Sequence, residues 1–131
     1  MSYSANVARA TAENPHFRAV LHTGAKSQLV VMNLPAGEDV GEETHPHIEQ
    51  ILYFQSGTGT AVLDGVETPV GPGDVVFVAP GVRHNFRNTG TEPLRLFTVY
   101  VPPNHIDGRI HPTKADAIAD VEDEEFGEAV R

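Results

Sequence analysis

Hydrophobic and polar positions alternate through the middle of the chain in short runs, each closed by glycine or proline. Seven such runs occur, at residues 27–34, 50–54, 60–63, 66–70, 75–79, 84–88 and 94–100. Runs of this length, rich in β-branched and aromatic residues and bounded by turn residues, predict β-strands. Strands of this number and spacing indicate an all-β fold, either an antiparallel sandwich or a barrel.

The segments between the runs carry turn signals and little helical pattern. Asp64-Gly65 predicts a two-residue hairpin, and Gly71-Pro72-Gly73-Asp74 predicts another tight turn. One short helix is expected near the C-terminus, over residues 113–120, with Thr113 as its N-cap and Asp116 at the third helical position.

A chain of 131 residues fits one domain by size. We expect a barrel core over about residues 28–103, an N-terminal arm over residues 1–27 and an acidic segment over residues 104–131. The last ten residues are expected to be loose, because chain ends are poorly ordered unless they dock on the body.

Composition excludes several classes of protein. The chain has no cysteine, which rules out disulfides, zinc-thiolate sites and a cysteine nucleophile. No apolar run is long enough to cross a bilayer, and the N-terminus lacks a signal-peptide core, so we expect a cytoplasmic protein without a membrane partner. The net charge of -9 argues against nucleic acid as a partner.

Two spaced motifs carry the candidate chemistry. The first reads G-x5-E-x-H-x4-Q-x6-G over residues 37–57, and the second reads G-x5-A-x-G-x2-H-x3-N over residues 73–88. Residues two apart on a strand share one face, and the inward positions of a barrel converge on its axis. Glu, Gln and His side chains brought together in this way form a ligand set for a divalent transition metal.

The two motifs and the short gap between them resemble those of the cupin superfamily. The resemblance covers about residues 37–88 and extends with the flanking strands to about 28–103. It implies a small jelly-roll β-barrel that holds a divalent metal (Mn, Fe, Co, Ni or Zn) and a small-molecule ligand. It also implies a homodimer, with SQLVVMNL (27–34) and LRLFTVY (94–100) as candidate edge strands. Short members of this kind are often labelled mannose-6-phosphate isomerase-like.

The chain departs from the family pattern at three positions. Glu43 occupies the usual place of the first histidine, Gln50 that of the glutamate, and Ala79 that of a proline. The implied ligand set is therefore Glu43, His45 and His84, with Gln50 as a weaker fourth oxygen donor. For Glu43 the alternative is a solvated acidic loop, for Gln50 a hydrogen-bonding turn residue, and for the histidines polar residues at a barrel mouth.

A second register is possible, because His45 and His47 also form a His-x-His pair. The distance from Gln50 to Gly57 favours the first register. In that register His47 shares the inward parity of His45 and lies just beyond the metal, as a candidate base or hydrogen-bond partner. Pro46 leaves the local geometry open.

Several apolar positions are expected inside the barrel. Leu52, Phe54, Phe77 and Phe86 follow the parity of Gln50 and His84, which predicts core positions first and a substrate wall second. Tyr100 lies before the Pro102-Pro103 break and is a further candidate contact to substrate. The segment over residues 104–114, with His105 and His111, is interpreted as a surface strap or, alternatively, a lid.

Three functions remain open. In the first, the metal acts as a Lewis acid on a small oxygenated metabolite, and His47 moves the proton in an isomerase, epimerase or lyase reaction. In the second, two histidines and one carboxylate support the oxygen chemistry of a non-haem iron dioxygenase. The third is a non-catalytic binding or sensing module. A sugar phosphate is disfavoured, because no cluster of Lys or Arg is expected to face inward.

Overall fold

The computed structural model describes residues 2–130, which form two antiparallel β-sheets and three short helices. The strands are β1 (Arg18–Thr23), β2 (Gln28–Leu34), β3 (Glu49–Ser56), β4 (Gly59–Leu63), β5 (Val66–Val70), β6 (Val75–Val78), β7 (His84–Asn88), β8 (Leu94–Val101) and β9 (Ile110–His111). The helices are α1 (Val7–Glu13), α2 (Lys114–Ala119) and α3 (Val121–Val130).

The larger sheet has the strand order β6-β3-β8-β2-β1-β9, and the smaller has the order β5-β4-β7. Strand β8 pairs with β2 on one side and with β3 on the other, so that Tyr100 lies opposite both Gln28 and Gln50. These distant pairings close the chain into the predicted all-β jelly roll, and the fold prediction is confirmed.

The core lies between the two sheets, as the period of two along each strand requires. In β8 the side chains alternate strictly between buried and half-buried positions, with Leu94, Leu96, Thr98 and Tyr100 buried. Leu52 and Phe54 from β3 and Phe86 from β7 pack in the same apolar cluster. The inward faces of both sheets are thus apolar for most of their length.

The two candidate edge strands lie inside the larger sheet, and that prediction is wrong. β2 is flanked by β8 and β1, and β8 is flanked by β3 and β2. The sequence pattern does not show these neighbours, because β8 pairs with β2 and β3 from far along the chain and β1 was not predicted as a strand. The true edges of the larger sheet are β6 and β9.

The N-terminal segment is part of the body. β1 pairs antiparallel with β2, with Arg18 opposite Met32 and Val20 opposite Val30. The prediction of an arm over residues 1–27 is therefore wrong for the strand that begins at Arg18, and α1 forms just before it. Asn6 caps α1 by accepting a hydrogen bond from the Arg9 N–H at 3.0 Å.

The C-terminal segment contains two helices where one was predicted. Thr113 and Asp116 form the expected capping box of α2, with each side chain accepting from the other residue's backbone N–H. The last ten residues were expected to be loose, but α3 spans most of them and its Asp123 is buried against His105. No helix within residues 2–130 is long and apolar enough to cross a membrane.

Candidate metal centre

Glu43 and His84 are held opposite each other by backbone pairing. The Glu43 N–H donates to the His84 carbonyl oxygen and the His84 N–H donates to the Glu43 carbonyl oxygen, both at 2.9 Å. His84 is the first residue of β7, and Glu43 forms an isolated antiparallel bridge to it. Because paired residues of an antiparallel bridge share a face, both side chains project to the same side.

His45 is positioned by the second motif. Its carbonyl oxygen accepts a hydrogen bond from the Gly81 N–H at 2.8 Å. Gly81 has a φ of 85°, in the left-handed region that glycine adopts without a steric penalty. The turn before β7 therefore orders the loop that carries His45, and it couples the two motifs to each other.

The three side chains converge on one point. Glu43, His45 and His84 each offer one ligand atom, and these atoms lie within 4.8 Å of one another. The Nε2 atom of His45 is 2.7 Å from the Glu43 Oε2 atom, and the His45 and His84 rings have centroids 5.4 Å apart. His45 is 3% exposed, whereas the Glu43 side chain keeps 34% of its surface accessible.

The hydrogen bonding of the histidines fits a metal site. The Nδ1 atom of His84 lies 2.9 Å from the Val82 carbonyl oxygen, which can only accept. Nδ1 therefore carries the proton, and Nε2 keeps its lone pair for a metal. Both ring nitrogens of His45 are buried without a hydrogen-bond partner among the described residues, although Glu43 is close. Carboxylate and imidazole donors of this kind suit a divalent transition metal.

The protonation states agree with this arrangement. Burial opposes ionisation of Glu43, but the neighbouring His45 ring, the Arg18 guanidinium and the His84 ring outweigh it and lower the pKa of the carboxyl to about 2. Burial also lowers the pKa of His84 and favours the neutral ring. An ionised Glu43 carboxylate and a neutral His84 ring are the states in which these two side chains coordinate a metal.

Gln50 is buried on β3, and its Nε2 atom donates to the Thr98 Oγ1 atom at 3.0 Å. This bond fixes the amide and leaves its oxygen as a possible acceptor or ligand. Ligation by Gln50 stays a prediction.

His47 does not lie where the sequence placed it. It forms a turn with Pro46 and its side chain is exposed, outside the cluster of Glu43, His45 and His84. The expectation of an inward His47 rested on strand alternation, and the turn breaks that alternation. The assignment of His47 as a catalytic base is therefore withdrawn.

Phe77 also departs from its prediction, since it is 60% exposed. In the pairing of β3 with β6, Gln50 lies opposite Val78 and Ile51 lies opposite Phe77. Residues directly opposite share a face, so Val78 points inward with Gln50 and Phe77 points outward. The other predicted lining residues, Leu52, Phe54, Phe86 and Tyr100, are all buried.

The sequence interpretation missed one cation inside the barrel. Arg18 is 7% exposed, and its strand position lies opposite the core residue Met32. The sequence predicted no inward cluster of Lys or Arg, and one arginine, Arg18, is buried on the inward face of β1. Arg18 lies two residues before the apolar Val20 and so shares its face of the strand. Had residues 18–23 been assigned to a strand, this spacing would have predicted an inward arginine.

A second polar group lies beside Tyr100. The His105 ring meets Tyr100 edge to face at 5.1 Å, and its Nδ1 atom is 2.7 Å from the Asp123 Oδ2 atom. Burial, followed by the charge of Arg18, lowers the pKa of His105 to about 4, and burial raises the pKa of Tyr100 to about 12. Across the physiological range His105 is therefore a neutral imidazole, and Tyr100 keeps its hydroxyl proton.

A separate apolar cavity of about 280 Å³ opens elsewhere on the surface. It is lined by Pro15, Phe17, Pro112 and Lys114 among others, and none of the three cluster residues lines it. Neither group of converging ligand atoms among the described residues, Glu43 with His45 and His84 or His111 with Asp120 and Asp123, lines this cavity.

Comparison with known proteins places this geometry in a family. A sequence profile described as "Cupin domain" matches residues 30–100. The uncharacterized protein YrkC of Bacillus subtilis is 40% identical over 120 residues, and the match covers 87% of this chain. The chain spans just under two thirds of that relative, 64% of its length.

Solved structures are also similar to this chain. The crystal structure of BH2720 from Bacillus halodurans is 35% identical, with a TM-score of 0.89 that covers 91% of this chain and 95% of that one. The structure of a predicted oxalate decarboxylase from Thermotoga maritima is 30% identical, with a TM-score of 0.63 over 66% of this chain and 79% of that one.

Proposed function

The chain belongs to the cupin domain family, and from that premise we propose that it is a small metalloenzyme with one divalent transition metal at Glu43, His45 and His84. The observation that carries the proposal is the His45 ring, whose Nδ1 atom is buried without a hydrogen-bond partner among the described residues and whose Nε2 atom lies 2.7 Å from the Glu43 carboxylate, beside the second imidazole of His84. A buried polar atom without a partner costs free energy, and a bound metal removes that cost.

The proposed reaction is an isomerisation, epimerisation or lyase step on a small oxygenated metabolite. A divalent metal at this site supplies Lewis acidity to a carbonyl or hydroxyl oxygen of the substrate. Leu52, Phe54 and Phe86 form an apolar wall that excludes water, and Gln50 and Tyr100 offer polar contacts to substrate. The Thermotoga neighbour is described as a predicted oxalate decarboxylase, and a lyase reaction falls within this class.

A dioxygenase is the second candidate, because the same two histidines and one carboxylate are the donor set of non-haem iron oxygenases. Assays with and without oxygen separate the two. Turnover that continues under anaerobic conditions supports the Lewis-acid reaction, and turnover that stops without oxygen supports the dioxygenase. A bound metabolite recovered unchanged from metal-loaded protein after hours of incubation supports a binding module instead.

We also propose a homodimer that forms through β6. This strand is an edge of the larger sheet, and its Val75 and Phe77 are 54% and 60% exposed. An edge strand has unpaired backbone groups that only another strand satisfies fully, and a second copy of β6 offers the same groups in antiparallel orientation. Exposed apolar side chains beside that edge favour the same contact.

Elemental analysis of the purified protein tests the metal proposal. Protein prepared without chelator is expected to hold about one equivalent of Mn, Fe, Co, Ni or Zn. Metal content that stays at background after reconstitution with each ion would contradict it.

A further inference from the structure

Arg18 is an unusual cation in this fold. Among the residues whose side chains the structure describes, it is the one lysine or arginine that is buried. Its strand position is on the inward face of β1, shared with the core residue Val20. Charged side chains are seldom buried without a partner, because removal from water is costly.

The guanidinium of Arg18 has no carboxylate partner within ion-pair distance in the described part of the chain. Arg83, Arg87 and Arg109, which are more exposed, each lie within 4.0 Å of a carboxylate. Its Nε atom is buried and makes no hydrogen bond there, and its carbon centre lies 5.2 Å from the Phe17 ring. Arg18 is thus a buried cation that has no carboxylate within ion-pair distance among the described residues.

The Arg18 charge acts in the same interior as the metal centre. Arg18 has electrostatic interactions with Glu43 and His105, and its side chain makes a hydrogen bond with the Tyr100 hydroxyl. A divalent metal and Arg18 together outweigh the single Glu43 carboxylate. Asp123 is already engaged by His105, with a 2.7 Å contact between Nδ1 and Oδ2. A negatively charged ligand balances the remaining charge.

We propose that Arg18 binds the carboxylate of the substrate, which is a small organic acid with a further oxygen group that faces Glu43, His45 and His84. A single guanidinium presents a planar fork that matches one carboxylate. A phosphate dianion is served better by several cations, and the described interior offers only this one. The position of the further oxygen group rests on the proposed function, which places a metal at Glu43, His45 and His84.

Paired ligands that differ only in charge test this assignment. Glycolate and lactate are compared with glycolamide and lactamide by calorimetry, on the protein with and without bound Mn²⁺. In wild type each acid is expected to bind about tenfold or more tightly than its amide. Arg18→Gln is expected to remove that ratio, Arg18→Lys to keep part of it, and the exposed control Arg83→Gln to keep all of it.

Three results would overturn the role of Arg18. These are equal binding of acids and amides by wild type, an unchanged ratio in Arg18→Gln, and no measurable binding of either acid. Metal content of each variant is measured in parallel. If wild type binds no metal, the proposed function fails, while the ratio in metal-free protein still decides the role of Arg18.

Thermal unfolding gives an independent readout. A buried arginine that is kept for a ligand and has no carboxylate partner does not stabilise the free protein, so Arg18→Met is expected to match or exceed wild type in Tm. A structural arginine would give the opposite result. A clear drop in Tm for Arg18→Met together with an unchanged acid-to-amide ratio in Arg18→Gln would establish a purely structural role.

Discussion

Glu43 and His84 exchange both of their backbone hydrogen bonds, each at 2.9 Å, although they come from different motifs. The backbone, and not the side chains, thus fixes the separation of a carboxylate and an imidazole. A centre built in this way is ordered before any ligand arrives. A side-chain change at either position therefore leaves the bridge in place and tests the chemistry alone.

Glu43→Gln is expected to keep the fold and weaken metal binding. The amide preserves the shape of the side chain but removes the negative charge that a divalent metal requires. Metal affinity should fall by more than about tenfold, measured by competition with a chelator of known affinity. Glu42→Gln is the matched control, since Glu42 is adjacent and exposed. Equal affinity in the two variants would exclude Glu43 as a ligand.

Gly57→Ala is expected to destabilise the fold. Gly57 has a φ of 86°, and a Cβ atom there would lie 2.4 Å from the Pro93 carbonyl oxygen. Relief of this clash requires backbone movement, so the free energy of unfolding should fall by about 1–3 kcal/mol in urea denaturation. Gly71→Ala, with no atom within 4 Å of the added carbon, should stay close to wild type. Equal stability of both variants would contradict this interpretation.

The free energy of unfolding should fall below neutral pH, because His105 binds a proton more readily in the unfolded chain than in the folded protein. Burial and the charge of Arg18 depress its pKa to about 4 in the folded protein, below the value of about 6.5 in an unfolded chain. Between these values the unfolded chain binds the proton and the folded protein does not, so the stabilisation present above about pH 6.5 is lost as the pH falls towards 4.

The loss between pH 7 and pH 5 is expected to be about 1–2 kcal/mol for wild type. His105→Gln should reduce that loss, and the exposed control His47→Gln should not. Chemical denaturation at the two pH values gives each difference. A loss of the same size in His105→Gln and wild type would show that His105 does not set this pH dependence.

Phe77→Lys is expected to turn the proposed homodimer into a monomer, because a charge on an edge strand opposes pairing with another copy. Size-exclusion chromatography with light scattering measures the mass. Val66→Lys is the control, since Val66 is 66% exposed on β5 of the other sheet. A wild-type protein that is monomeric at high concentration would refute the dimer, and loss of the dimer in Val66→Lys alone would move the interface to β5.

Local sequence signals predicted the strands well. Each of the seven alternating runs is a strand within two residues of its predicted ends, because alternation and turn residues are local properties. The spacing of the two motifs predicted that Glu43, His45 and His84 lie close together, as the structure has them. The spacing carries this information because it sets the lengths of the hairpins, and these determine where each side chain lies.

The errors arise where distant segments or a single turn decide the geometry. Arg18 was missed because residues 18–23 were not predicted as the strand that pairs with β2 and with the distant β9. His47 was misplaced because the chain turns at Pro46, which ends the strand alternation. Phe77 was misplaced because its strand register was taken one residue off, and a shift of one residue reverses the face of a strand. The order of α3 depends on the buried contact of Asp123 with His105, which no local pattern shows.

The most direct test of the account is the metal content of three histidine variants measured by elemental analysis. His45→Ala and His84→Ala remove two donors of the centre, while His47→Ala removes an exposed histidine two residues from His45. Circular dichroism confirms that each variant is folded. The account predicts about one equivalent of metal in wild type and His47→Ala, and background levels in His45→Ala and His84→Ala. Full metal content in either of the last two, or its loss in His47→Ala alone, would contradict the assigned centre.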